Sequence, residues 1–488
     1  MRRRAGGAME WPLHPLPALE RGDVQARRRP FRSICAGVVG FFVAASASAQ
    51  DDGDYFVDRR GDLRKFEHEY RVWIGDREAH PIRAGAEALI WIGLGTAYYW
   101  IDPLANSEDW DDPSVFEKLD GSAVSFDNNL VSTNFILHPL AGAAIYGTAR
   151  VNGLSVPASF AYVAASSLAW EFAFEWREQA SVNDLIFTSI GGVSLGEFLS
   201  RLSDYATSAR DNAKWDNVIA AHTIGLPHKI HQWIDGPRPK TTLPPDALGF
   251  SSAYWHRFSA SYGFGEIESD AVASSAAHSI GAEAQIVSVP GFLRPGHISF
   301  GFDQANFTEG RLRLLYGNDG LSELDARVHA TLFGYLKQEF DAKGDSAGMV
   351  GLGTGLRYYD SWRLDRRDGY AFVHLPGPVF GIWTRQGALS IKAQVAASFD
   401  FSGIRPLGFT HWERRFDEDG LRSVLTRRGY TYAWCGSSRA RFSVDNGTLG
   451  LGASANAAWC RSIQNLDRLE RKTNADMTSI DELIELDA

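Results

Sequence analysis

The sequence predicts an α+β protein, with an N-terminal all-α helical domain followed by a C-terminal antiparallel transmembrane β-barrel of roughly 10–14 strands. Three observations predict it. Near Tyr254 the hydrophobic pattern switches from period 3.6 to period 2. The period-2 runs are longer than the roughly 5–6 residues usual for strands in soluble domains. The composition, with 48 Gly, 29 Phe, 16 Tyr and 15 Trp among 488 residues, suits large β-structure better than a helical enzyme. That length also exceeds one ordinary core, and 44% hydrophobic residues exclude a mainly disordered chain. A formal charge of −10 argues against a nucleic-acid partner.

Residues 1–49 read as a leader and signal peptide. Arg27, Arg28, Arg29 and Arg32 precede an apolar run from Ile34 to Ala45, and Ala47-Ser48-Ala49 is a small-x-small site that would cut before Gln50. The run of about 12 residues is too short for a stable transmembrane helix. The leader holds eight Arg against three acids, so the chain after cleavage carries about −15 and keeps two cysteines, Cys435 and Cys460.

Residues 50–125 open with a charged stretch, followed by one apolar helix over Ala84–Ile101 and an acidic loop from Glu108 to Asp120. That loop lacks the Gly and Glu positions of an EF-hand and reads as solvated. Residues 126–206 are rich in Ala and Gly and read as three helices. Pro139 suits the first turn of one of them, and Ser181 suits the cap of another. Residues 207–250 contain five prolines and read as a linker. In that linker His228, His231 and Asp235 have a metal-like spacing but stand alone.

Residues 251–488 read as the barrel. From Leu324 to Leu336 apolar and polar residues alternate over about 13 positions, and similar runs cover 350–358 and 449–459. Spanning an outer membrane takes roughly 9–11 tilted residues. Shorter runs near 255–264, 281–289, 297–306, 311–317, 370–384, 389–401 and 430–444 bring the strand candidates to about ten. A secreted β-sandwich would also alternate; strand length favours the barrel. Cys435 and Cys460 lie on presumed lumenal faces, nearly symmetric about the Asp445-Asn446-Gly447 turn, which predicts a cross-strand disulfide. The acidic end Asp481–Ala488 reads as loop or helix, so the barrel is either incomplete at its C-terminus or closed in another way.

Ionisable residues of the helical zone sit in apolar company. Glu171, Glu175 and Glu178 share one helical stripe by their spacing, and His138 and Asp184 can converge on it. A histidine with two or three carboxylates can bind a metal or supply acid and base. The alternative is a buried network that fixes helix register, with Arg150 or Arg177 as counter-charge. Gly192-Val193-Ser194-Leu195-Gly196 matches a nucleophile elbow, but the β-meander downstream is the wrong context, and its glycines read as helix-packing residues. No organic cofactor is predicted.

The order Asn129, His138-Pro139, Gly142, Tyr146, Arg150-x-Asn152-Gly153, Trp170-Glu171, Glu175, Ser181-x-x-Asp184, Gly191-Gly192-x-x-x-Gly196-Glu197 resembles the bacterial domain of unknown function 3943 family. Leu375-Pro376-Gly377-Pro378 adds a point beyond it. The resemblance implies an exported protein of Gram-negative bacteria with a C-terminal barrel, and it brings no established activity. The Glu…Ser-x-x-Asp…Gly-x-x-x-Gly order is distantly similar to VanZ-like membrane proteins. The expectation is therefore an outer-membrane protein whose partners are outer-membrane lipid and the barrel-assembly machinery. Its helical part would be periplasmic or lumen-plugging, in an envelope structural or transport role. The alternative is a lipid- or envelope-acting hydrolase or transferase using His138, Glu171, Glu175 and Asp184. Transport would need a water-filled lumen lined by Arg327, Arg357, Arg439 and Arg441.

Overall fold

The computed structural model describes residues 41–48 (backbone), 71, 77–101, 111–209, 214–236, 243, 245–269, 272–317, 320–341, 344–363, 366–405, 428–446, 448–463 and 480–487, all within the compact unit Val38–Ala488. Most of the predicted leader lies outside them, as do Glu108 and Asp109 of the acidic loop.

Helices fill the N-terminal half: α1 (Pro81–Ile101), α2 (Val115–Leu119), α3 (His138–Val151), α4 (Val156–Ala169), α5 (Val182–Ile186) and α6 (Gly192–Ala206). Residues read as a linker carry two more, α7 (Trp215–His222) and α8 (Leu226–Asp235). Proline misled that reading: Pro227 occupies the first turn of α8, where its missing N–H costs nothing. Helices α3 and α6 cross where glycine removes the side chain. A Cβ on Gly142 would lie 1.9 Å from the Thr188 carbonyl oxygen, and one on Gly192 would lie 2.6 Å from the Gly142 backbone.

Among the described residues, twelve strands form one antiparallel sheet. A separate two-stranded ladder pairs β2 (Val124–Ser125) with β3 (Ala180–Ser181) in parallel. In the large sheet β1 (Phe41–Ser48) borders β4 (Trp255–Ser269), and the order continues β5 (Val272–Val287), β7 (Phe307–Gly317), β8 (Gly320–Asp341), β9 (Gly344–Arg363), β10 (Arg366–Gln386), β11 (Leu389–Arg405), β12 (Thr431–Asp445), β13 (Gly450–Ser462) and β14 (Ile480–Asp487). Strand β6 (Gly296–Phe302) pairs with the far half of β8, beyond the end of β7. The acidic terminus read as loop or helix is thus a strand. Its Leu483 packs inward while Ile484 is exposed, an alternation too short to stand out in sequence.

One expected face assignment is corrected. The alternation from Leu324 to Leu336 does not stay on one face, because a bulge between Thr331 and Phe333 inserts an extra residue. Leu336 therefore joins the inner core beside Met349, while Tyr335 turns outward. A second irregularity in β10 follows His374, where Gly377 passes Ala397 so closely that a Cβ would lie 2.0 Å from its carbonyl oxygen.

The two faces differ in chemistry. On one, Arg441 Nη1 of β12 meets Glu309 Oε2 of β7 at 2.8 Å, although the strands are five places apart in the sheet. The sheet must curl toward this face for such contacts to form. One end of the concave face is filled by Phe292, Phe302, Phe307, Leu336 and Trp383. Cys435 and Cys460 also point inward; they are register partners joined by a disulfide with an S–S distance of 2.06 Å. The convex face is apolar. Leu356, Val373 and Phe401 pack there against Phe126, Phe135 and Phe187 of the helical half. The helices therefore lie outside the curled sheet, which corrects the lumen-plugging alternative.

Candidate functional site

The four residues singled out in the helical zone come together. His138 opens α3, Glu171 lies in a π-helical turn that follows α4, Glu175 caps that turn, and Asp184 lies in α5. Ligand atoms of Glu171, Glu175 and Asp184 all lie within 4.8 Å of one another, and His138 Nε2 is 3.3 Å from Asp184 Oδ1. Each of these elements adjoins a π-helical turn: Thr133–Leu137 before His138, Trp170–Phe174 around Glu171, and Phe187–Gly191 after α5. Such turns are rare and frequently mark functional sites, because the extra residue re-aims side chains.

Hydrogen bonds fix the acids individually. The Ser181 N–H donates to Glu171 Oε2 at 2.7 Å, and Ser181 Oγ caps α5 by accepting from the Asp184 N–H. Asn183 Nδ2 donates to both Asp184 Oδ1 (2.7 Å) and Asp127 Oδ1 (2.9 Å), which makes Asp127 a fourth carboxylate of the cluster. Asp127 also accepts from Asn134 Nδ2 at 2.7 Å and from the Tyr432 hydroxyl at 2.9 Å, so the site is anchored to β12. Lys118 is buried beneath the acids, but its Nζ donates to the carbonyl oxygens of Glu171 and Glu175 rather than to a carboxylate.

This leaves negative charge in a dry place. Burial pushes the Glu171 carboxyl up to about 8, with the Ser181 N–H opposing and Asp127 adding to the rise. Burial, then the neighbouring acids, also raises Glu175 and Asp184 well above the carboxylate range. Burial lowers the His138 imidazole against the pull of Asp127. His138 Nε2 is buried without a hydrogen-bond partner. A cluster of this kind can hold protons or a divalent cation, with the imidazole as a further ligand or as a base.

Residues 123–225 match the family described as Domain of unknown function (DUF3943). This segment belongs to that family. No curated protein and no solved structure matches the chain. The DUF3943 segment runs from the β2 ladder through α7, so it takes in part of what composition marked as linker.

A second polar cluster within the DUF3943 domain shows the contrast. Glu197, fully buried, accepts from Arg150 Nε at 2.9 Å and from the Tyr146 hydroxyl at 2.7 Å, and it pairs with Arg201 Nε at 2.8 Å. Asp204 pairs with Arg77 and with His228 Nε2, both at 2.7 Å. Here each carboxylate has at least one arginine partner. Arg150 therefore serves Glu197 and not Glu171, which corrects one of the expected counter-charges. Arg177, the other, stacks on Trp100 and Trp176 and lies 3.8 Å from Asp112.

The remaining candidates fall elsewhere. His228 and His231 face Asp204 and Glu87, and Asp235 holds Arg83, so this spacing serves ion pairs. Ser194 lies inside α6, where it bonds Ile190 O and Thr354 Oγ1; it sits on no strand–helix elbow. Asp127, Lys118 and Asn183 were not recognised as site residues in the sequence. Asp127 and Lys118 lie outside the stripe that gathered the glutamates, and only the tertiary approach of β2, β3 and α2 brings them in.

Proposed function

We propose that the chain is an outer-membrane protein of Gram-negative bacteria whose curled sheet forms a non-conducting barrel wall. Its DUF3943 domain docks on the lipid-facing side and carries a cation-dependent acid–base site, of the kind a hydrolase or transferase of the envelope uses. The observation that carries this reading is the convergence of His138, Glu171, Glu175 and Asp184, with no arginine hydrogen bond to their side chains among the described residues, beside a cluster in which each carboxylate has an arginine partner. Three buried carboxylates repel one another unless protons or a metal ion intervene.

Placement in a membrane is supported by the convex face, where Tyr262, Phe264, Ile280, Val350, Phe380, Ile382, Val395 and Phe399 are exposed in strands long enough to span. The reading as an open transport channel loses ground. Arg327, Arg357, Arg439 and Arg441 do line the concave face, but each is paired with an acid there. A cavity lined by Arg327, Arg357 and Arg439 measures about 60 Å³. Removal of residues 1–49 as a signal would take β1 away and free the edge of β4 to close on β14.

The test uses the full chain folded in detergent micelles, titrated with Mn²⁺ and followed by electron paramagnetic resonance. One Mn²⁺ per chain is expected, weakened at least tenfold in Glu175→Gln. No binding, or binding unchanged in that variant, would sink the cation site. Planar bilayers should show no steady conductance; open channels would restore the transport reading.

A further inference from the structure

We infer that the DUF3943 site takes its ligand from the membrane: a phospholipid whose phosphate is bridged by the cation and whose acyl chains lie on the convex apolar face. This rests on the cation site proposed above and adds to it the class of ligand and the route of entry.

The first argument is position. The helices stand on the same face of the same strands that continue outward as exposed apolar surface. On β9, Leu356 is covered by the domain while Leu352 and Val350 on the same face are bare. On β11, Phe401 is buried against Phe126 and Phe187, and Phe399, one step along that face, is half exposed. Gly191 lies between the residue following His138 and this wall: a Cβ on it would sit 3.4 Å from Pro139 and 3.5 Å from Val373. The proposed lipid surface and the domain therefore share a border that along β9 is interrupted by one polar residue, the buried Thr354 bonded to Ser194, and along β11 by none.

The second argument is access. Of the four site side chains, His138 is the most open, at 16% exposure. Its neighbours in sequence, Leu137 and Leu140, are 47% and 46% exposed. An apolar rim beside a partly open imidazole fits a ligand that arrives with hydrocarbon attached. A small hydrophilic ion or sugar gains nothing from such a rim.

The third argument is charge. The acids alone would repel a phosphate. A divalent cation neutralised by two ionised carboxylates keeps open positions, which such ions commonly fill with phosphate oxygens. With the cation in place an anionic headgroup is favoured; without it, the same headgroup is excluded. Binding should thus be strictly cation-dependent.

Native mass spectrometry of the full chain, released from nonionic micelles, tests this with dioleoyl phosphatidic acid as probe. One phosphatidic acid per chain should be retained with Mn²⁺, and at least tenfold less with EDTA or in Glu175→Gln. Diolein, with chains but no phosphate, and glycerol 3-phosphate, with phosphate but no chains, should not be retained. In Leu137→Ser/Leu140→Ser, which alters only surface residues, lipid retention should fall while the lipid-free chain still binds Mn²⁺. Equal retention with EDTA would mean annular lipid only and would overturn the proposal. Retention of glycerol 3-phosphate as well as the lipid would overturn the membrane route in favour of a soluble phosphate. Failure of the lipid-free chain to bind Mn²⁺ would instead overturn the cation site beneath it.

Discussion

Arg357 Nη2 donates to Glu485 Oε2 at 2.7 Å, joining β9 to the last strand across the concave face. Glu485 Oε1 lies 3.5 Å from Arg313 and 3.7 Å from Arg327, so one carboxylate serves three guanidinium groups. Glu485→Ala should therefore destabilise the sheet by about 2 kcal/mol, below the value for a fully buried pair because Glu485 retains some solvent. The urea midpoint of tryptophan fluorescence in micelles reports it. An unchanged midpoint would mean that β14 adds little to the folded sheet.

The DUF3943 acids predict an unusual pH dependence. Glu171 has its folded pKa raised to about 8, so the folded state holds a proton that the unfolded state releases near pH 4.5. Without divalent cation, stability should fall as pH rises from about 4.5 through about 8, and Glu175 and Asp184, raised in the same sense, extend the decline. With Mn²⁺ present the decline should shrink, because the cation replaces the proton. Midpoints at pH 5, 7 and 9, with and without EDTA, check the sign; stability rising over this range without metal would refute it.

Neutralising one glutamate in each cluster should give opposite results. Glu171→Gln keeps an acceptor for the Ser181 N–H and removes a costly charge, so the metal-free variant should be more stable than the parent at pH 9. Glu197→Gln leaves Arg150 and Arg201 without their carboxylate and should cost about 3–5 kcal/mol at any pH between 5 and 9. Two losses of equal size would mean that both clusters are structural.

The crossing of α3 and α6 predicts a sharp size limit. Gly142→Ala places a methyl group against the Thr188 carbonyl, which backbone cannot yield cheaply, and should separate the helices. A loss of about 3 kcal/mol is expected from overpacking of this degree. Gly147→Ala, where a Cβ meets nothing within 4 Å, is the control and should be neutral or slightly stabilising. Limited proteolysis of the two variants separates them.

Much of this architecture was legible because long strands and small-residue helices leave periodic marks. The runs at 350–358 and 389–401 fall inside β9 and β11, and that at 430–444 falls inside β12 but for its first residue, since alternation there is unbroken. Alternation misplaced Leu336, because a bulge adds one residue without any mark in composition. Local spacing also put Glu171 and Glu175 on one helical stripe and singled out His138 and Asp184 beside them.

What the sequence determined by itself was therefore local: where strands and helices run, which acids share a face, and which segment belongs to DUF3943. Tertiary structure alone decided the rest. It assigned Arg150 to Glu197 rather than Glu171, brought Asp127 and Lys118 into the site, and set the helices on the convex face. The physical reason is that charge pairing and burial depend on distances between elements far apart in the chain. Periodicity carries no information about those distances; it records only which way each residue faces within its own element.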